Sequence, residues 1–370
     1  MRLALREIRR AKVRFLLLAG AVGLLVFLLL FFQSVAGSLL AGFTGGLDQA
    51  DADVVVYDDT ARANPIVSVL APDVVERVAA VDGVADAAAV AQTFVVADTG
   101  DIEEEVVLVG IMPGAPGTPT TIVEGRLPQT EREALAASGG FGAALPLGST
   151  VRVGDLDLEV VGIAADASYN VATTLYVPMD AYATVLAARL GPDTPVPVSF
   201  VAARATDGTD PTTLAGDITA AVDDTQALTR TDAVDALPGV DVISRSFGIL
   251  YVLLYVVVTI VTGVFFLILT VQKRDALVLL RAVGAERRDV VRLVLVQVVA
   301  VVGLGVLLGS GLAVGLLAAA RDVFGATLSA STIASSAAAV LALGLLAASG
   351  AVRRVLRIEP VEATQASGLD

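Results

Sequence analysis

Four stretches of this chain contain no Asp, Glu, Lys or Arg: Phe15–Leu47, Ser246–Gln272, Leu293–Ala320 and Val323–Val352. Each exceeds the roughly 20 residues that a helix needs to cross a hydrocarbon core about 30 Å thick. Buried helices of soluble proteins rarely sustain such lengths, so each run is expected to hold a transmembrane helix. The first run is longer than one span, and its end beyond Val35 should stand clear of lipid. The fourth includes the Ser-rich stretch Ser329–Ala339, so its span should begin near Ile333.

Charge sets the orientation. Arg2, Arg6, Arg9, Arg10, Lys12 and Arg14 precede the first span, and Lys273, Arg274, Arg281, Arg287, Arg288 and Arg292 fill the loop between the second and third. Arg353, Arg354 and Arg357 follow the fourth. Basic flanks stay inside, so both termini and this loop are expected in the cytoplasm and residues 48–245 outside. The outer segment is acidic: 31 acidic and 8 basic residues lie between Asp48 and Asp241, leaving 17 basic and 8 acidic elsewhere. Such a surface argues against nucleic acid as a partner, because phosphates require cationic contacts. Leu3, Leu5, Ile8 and Ala11 oppose a basic face in the first fourteen residues, the pattern of a helix lying in the inner interface. The apolar stretch from Phe15 to Phe32 exceeds a secretory signal core of about 7–15 residues, so an uncleaved anchor is expected.

The organisation that follows is a cytoplasmic interfacial helix over 1–14 and a first span with its outward extension over 15–47. An extracytoplasmic domain over 48–245, the second span over 246–272 and a cytoplasmic loop over 273–292 come next. The third span covers 293–320, the fourth 323–352, and a cytoplasmic tail 353–370.

Much chemistry is excluded by what is missing. Without Cys or His there is no thiol nucleophile, imidazole base or ordinary transition-metal site. Neither Lys12 nor Lys273 follows a glycine-rich loop, so no Walker A motif cradles ATP. No enzyme activity and no cofactor are expected on this chain; if ATP is used, it and its Mg would belong to a separate subunit. Charge-free spans also disfavour an ion channel or proton-coupled transporter, which need ionisable groups in the membrane.

In the third span, Gly305/Gly309 and Gly311/Gly315 are spaced as small-xxx-small pairs, suited to close helix packing within the chain or in a dimer. The outer segment mixes strand patterns at Ala52–Asp58, Glu104–Ile111 and Ser149–Ala164 with helical ones. Pro72 opens one helix, and Asp210 caps another ahead of Pro211. The fold class expected is a membrane protein of four transmembrane α-helices with a large α+β domain between the first and second. The Pro- and Gly-rich stretch 113–119 suggests a subdomain inserted over about 113–195. The acidic run Glu103–Glu105 lacks calcium-loop spacing and reads as a solvated face. Ser168, Tyr169 and Asn170 form a loop to which no role is assigned.

In their order and their motifs these segments resemble the permeases of MacB-type ABC transporters (type VII), relatives of the lipoprotein-release permeases. Gln272–Val291 is similar to the family segment after the second span, with Arg281, Ala282, Gly284 and Ala285 matching its Arg-Ala-x-Gly-Ala core. Arg357–Ala363 resembles the C-terminal Arg-x-Asp-Pro-x-Glu-Ala motif, with Glu359 replacing Asp ahead of Pro360 and Glu362. Glu124–Pro128, Leu147–Ile163 and Leu175–Tyr182 resemble the family's GR-x-P, hairpin and following strand. Ala276 and Gln297 stand where the family commonly has Glu.

The resemblance implies a stand-alone permease without a fused ATPase domain. It also implies a coupling helix in the 273–292 loop that docks on a separate ABC ATPase subunit. Leu277, Leu280 and Val283 recur at helical spacing and would fill an apolar groove; Arg281, Arg287 and Arg288 would meet its acidic rim, and Gly284 would end the helix. A second permease, identical or homologous, membrane lipid and an extracytoplasmic lipoprotein or adaptor are the other implied partners. The function expected is ATP-driven export or release of a lipophilic or peptide ligand. The alternative is a mechanotransmitting regulator that activates an outer enzyme or sensor without transport. Scarce Lys with abundant Arg, Ala and Val suggests the cell membrane of a GC-rich prokaryote.

Overall fold

The computed structural model of the chain describes residues 12–100, 102–138, 145–192, 195–272, 287–319 and 329–356. They hold, in order, α1 (Lys12–Asp48), β1 (Val54–Asp58), α2 (Val74–Ala79), β2 (Val84–Asp98), β3 (Glu103–Ile111), β4 (Ile122–Gly125) and β5 (Glu133–Ser138). Then come β6 (Thr150–Val153), β7 (Leu156–Ala165), β8 (Thr174–Pro178), α3 (Met179–Leu190), β9 (Phe200–Ala205) and α4 (Pro211–Ala221). The chain continues with β10 (Thr225–Thr229), α5 (Arg230–Ala236), α6 (Val240–Gln272), α7 (Arg287–Ala319) and α8 (Ala330–Leu356). Four helices among the described residues are long and apolar enough to cross a membrane: α1, α6, α7 and α8.

The chain separates into two compact units, one of spans and one built on residues 36–245. In the span unit, Phe15, Leu18, Val22, Val26 and Leu29 form the buried stripe of α1. Their spacing of three and four residues keeps them on one helix face. They share a core with Val258, Phe266 and Leu269 of α6, Val298, Val301 and Val302 of α7, and Val340 and Ala348 of α8. Helices run past the charge-free runs because charge ends a lipid span, not a helix. Thus α6 begins at Val240 rather than Ser246, with Asp241 and Arg245 3.6 Å apart on its first turns. α8 begins at Ala330, beside the Ser329 hydroxyl, which accepts from the Thr332 amide at 3.1 Å.

The outer unit is an α+β fold on one ten-stranded sheet, ordered β10-β1-β9-β2-β3-β8-β5-β7-β4 with β6 paired to both β2 and β7. That double pairing closes β2, β3, β8, β5, β7 and β6 into a ring. Ring closure removes the free edges that an open sheet exposes. Its interior is filled by small and branched side chains, among them Val106, Leu108, Val151, Leu158 and Leu175, and is plugged by Tyr182, Val185 and Leu186 of α3. The remaining part is an open antiparallel sheet, covered on one face by α2 and α4 through Val74, Val78, Leu214 and Ile218. The stretch 113–119 leads from β3 to β4, and β4–β8 with α3 fall between it and residue 195.

At fifteen residues, β2 serves both parts: Val84–Val90 pairs with β9, and Ala91–Asp98 with β3. Six successive residues of β3, Val106–Ile111, are buried, since one face lines the ring interior and the other a second core. That second core gathers Tyr57, Val90, Val109, Tyr169, Tyr176 and Phe200, with Leu47 at the end of α1 and Leu237 and Val240 after α5.

Candidate functional site

The coupling segment falls largely outside the described residues, which resume at Arg287. Leu277, Leu280, Arg281, Ala282, Val283, Gly284 and Ala285 lie outside them, as do the tail residues Arg357, Glu359, Pro360 and Glu362. Arg287 and Arg288 open α7, and their side chains are likewise outside the description. Beside this loop, the Arg14 guanidinium near the start of α1 donates to the Gln272 side-chain oxygen at the end of α6.

The four glycines of α7 divide into two kinds. A Cβ on Gly305 would lie 2.8 Å from Val22 Cγ1 and 3.0 Å from the Ala19 carbonyl oxygen, and one on Gly309 would overlap the Gly23 carbonyl oxygen. A Cβ on Gly23 would in turn sit 3.1 Å from the Gly305 carbonyl oxygen. Backbone therefore meets backbone where α1 crosses α7, and any side chain would push the helices apart. Gly311 and Gly315 have nothing within 4 Å of where a Cβ would stand. The first pair packs inside the chain; the second meets no other described residue. Two polar contacts add to this unit: the Ser336 hydroxyl donates to the Gln33 side-chain oxygen at 2.8 Å, and the Tyr251 hydroxyl to the Phe32 carbonyl at 3.3 Å.

A second glycine cluster, which the sequence reading passed over, lies at the outer end of the same helix. Gly42, Gly45 and Gly46 present a face without side chains, and the loop Asp166–Val171 between β7 and β8 lies on it. A Cβ on Gly45 would overlap the Asp166 carbonyl oxygen, one on Gly46 the Tyr169 ring, and one on Gly42 would touch Val171 Cα at 3.4 Å. Backbone bonds join the partners: the Gly46 amide donates to the Ser168 carbonyl at 2.8 Å, and the Val171 amide to the Gly42 carbonyl at 2.8 Å. Asp166, Asn170 and Val171 adopt left-handed φ of 49°, 53° and 60°. That conformation is costly for a β-branched residue and persists only where surrounding contacts dictate it.

The contacts that hold the loop are visible. The Tyr176 hydroxyl donates to the Ala167 carbonyl at 2.6 Å, the Tyr169 amide to the Thr174 hydroxyl at 3.0 Å, and the Asp166 amide to the Ser138 carbonyl at 2.7 Å. Burial raises the Tyr169 and Tyr176 phenols above their ordinary range, so both stay neutral and can donate. The end of α1 is fixed as well. Arg230, opening α5, donates to the Asp48 carbonyl at 2.8 Å and the Ala50 carbonyl at 3.4 Å, a cation placed where the helix dipole favours one. The signal for this joint was present as Gly42-x-x-Gly45-Gly46 inside a helix, where glycine costs about 1 kcal/mol over Ala unless packing requires it.

The Glu124–Pro128 motif is a structural clamp. Gly125 takes φ +70° where a Cβ would overlap the Val161 carbonyl oxygen. Arg126 forks onto Glu133 at 2.7 and 2.9 Å, while the Gln129 amide donates to the same carboxylate at 2.8 Å. The Arg126 hydrogen bonds, and then the Gln129 amide, hold Glu133 down at about 2.

A family model described as the MacB-like periplasmic core domain matches residues 15–221, and one described as the FtsX-like permease C-terminal matches residues 248–360. Among solved structures, the extracellular domain of the noncanonic ABC-type transporter YknZ from Gram-positive bacteria is similar at 20% identity. The match covers 48% of this chain and 100% of that one, with a TM-score of 0.32. The periplasmic region of MacB from Actinobacillus actinomycetemcomitans is similar at 13% identity over 52% of this chain and 92% of that one, with a TM-score of 0.37. No curated protein matches the chain.

Proposed function

From its membership of the MacB-type ABC transporter permeases, the family to which this chain belongs, we propose that it relays the work of a separate ATPase subunit to its outer unit. Permeases of this kind work with ABC ATPase partners. Here the nucleotide and its Mg sit on that partner, this chain performs no hydrolysis, and the loop 273–292, facing the cytoplasm with both termini, is the docking point. Two permeases pair above two ATPase subunits in a prokaryotic cell membrane. Motion of the loop enters the spans and passes along α1. The outer unit then grips and releases a lipophilic or peptide ligand, without a hydrophilic channel through the charge-free spans.

One observation carries this reading. An unbroken α1 contributes residues 12–35 to the core of the spans and ends on a strained, hydrogen-bonded loop of the outer unit. A continuous helix whose far end is hydrogen-bonded to the outer unit can carry displacement; a flexible tether would dissipate it.

The absence of natural cysteines makes the test clean. In the complex reconstituted with the ATPase from a neighbouring gene, Gly42→Cys with Val171→Cys locks the joint in its docked form. If helix and loop move as one body, ligand-stimulated ATP turnover and ligand release survive oxidation. If the joint must open in each cycle, oxidation stops both and reductant restores them, and the relay is wrong as stated. Ligand flux into vesicles separates transport from the alternative, activation of an outer enzyme.

A further inference from the structure

The segment Asn64–Val69, between β1 and α2, is neither helix nor strand, yet it is firmly held. The Asp58 amide donates to the buried Ser68 hydroxyl at 3.0 Å, the Ile66 amide to the Asn64 side chain at 3.1 Å, and the Leu70 amide to the Val198 carbonyl at 2.9 Å. It is entered through two consecutive left-handed residues without a glycine, Arg62 at φ 52° and Ala63 at φ 58°. The buried side chains of Pro65, Ser68 and Leu70 anchor the strap from beneath. The effect is to turn three branched side chains outward: Ile66, Val67 and Val69 are 44%, 59% and 62% exposed. Single exposed apolar residues need no explanation, but a contiguous set on a fixed, strained loop marks an interaction surface.

The surroundings select the partner. The Asp59 amide donates to the Asp224 carbonyl at 3.2 Å, which brings the end of β1 against the loop before β10. Asp58, Asp59, Asp223 and Asp224 thereby gather beside the strap. The cations nearest in sequence are Arg62 and Arg77, and Arg77 is 3.2 Å from Asp73. A second copy of this chain would bring an identical acidic rim against the first, and an anionic lipid surface would be repelled in the same way. Like charges set face to face oppose association, and opposite charges steer it.

We propose that the strap Asn64–Val69 is a docking surface for a basic, amphipathic segment of another protein on the outer side. Its apolar face would cover Ile66, Val67 and Val69, and its Lys or Arg residues would meet the aspartates. This assignment stands on the outer unit alone and does not depend on the relay through α1.

The test uses the full chain in nanodiscs of phosphatidylcholine, with empty nanodiscs subtracted. The probe is a fluorescent helical peptide of Leu and Lys, and its control carries Glu in place of Lys. The Lys peptide should bind, and the triple variant I66S/V67S/V69S should bind it about ten-fold more weakly, as expected when central anchors are truncated. The rim variant D59N/D223N/D224N should weaken binding less and flatten its salt dependence. Both variants alter exposed positions, and unchanged thermal unfolding confirms that they fold. Equal binding by wild type and triple variant, equal binding of the Glu peptide, or strap-dependent self-association of the chain would each overturn the proposal.

Discussion

Along α1 the same device, a glycine face, is used twice with opposite mechanical results. At Gly23 it meets Gly305 and Gly309 of another helix, where backbone packs on backbone. At Gly42, Gly45 and Gly46 it meets a loop and is tied to it by backbone hydrogen bonds. In a bilayer, helix packing rests on shape and dispersion with little hydrophobic drive, so the small residues at this crossing hold it by close fit alone. In the outer unit, a shift of the loop would strand buried amides and carbonyls, each costing about 1–3 kcal/mol. The span contact is thus one of close backbone packing, and the joint adds hydrogen bonds to it.

Gly46→Val should have the largest effect. Its side chain would occupy the space of the Tyr169 ring, and overpacking of this kind costs about 3 kcal/mol. With no Trp in the chain, tyrosine fluorescence during thermal unfolding reads it directly. A stability within about 0.5 kcal/mol of wild type would mean that the joint is soft.

The next largest effect sharpens the other side of the comparison. Gly309→Leu should destabilise the spans by about 2 kcal/mol through its overlap with Gly23, whereas Gly315→Leu should stay within about 0.5 kcal/mol. Thermal melts of both variants in the same detergent decide it. Equal losses would place Gly315 in a contact supplied by a second copy.

The smallest effect concerns acid stability of the outer unit. Glu133 is held at about 2, below its ordinary 4.5, so its contribution is complete above that ordinary value and fades as pH falls from about 4.5 towards 2. Glu133→Gln should flatten that part of the stability–pH curve. An unchanged slope would assign the acid sensitivity elsewhere.

Sequence pattern reveals what is dictated locally or by the bilayer. The spans were legible because lipid imposes a minimum apolar length, and the cap at Asp210 because its carboxylate reaches an amide three residues on, Thr213 at 3.0 Å. Helix ends were less legible, since Lys12, Asp241 and Arg245 are as compatible with a helix as their apolar neighbours. The ring was not legible at all: β6 is four residues long, and nothing in Thr150–Val153 announces that it pairs with β2, over fifty residues earlier, as well as with β7. The joint was half legible. Its glycines stand out within an apolar helix, but their partner loop lies more than a hundred residues away, and left-handed Asp166, Asn170 and Val171 carry no warning. Of the α7 glycines, spacing alone could not say that, among the described residues, Gly305 and Gly309 meet a neighbouring helix and Gly311 and Gly315 do not.

The fifteen-residue β2 has a practical corollary. Half of it belongs to the open sheet and half to the ring, so neither can be excised for separate expression without cutting through a strand and baring backbone that would seek foreign partners. Any soluble fragment must run from before Val54 to beyond Thr229, and trimming inside those limits invites aggregation instead of a smaller module.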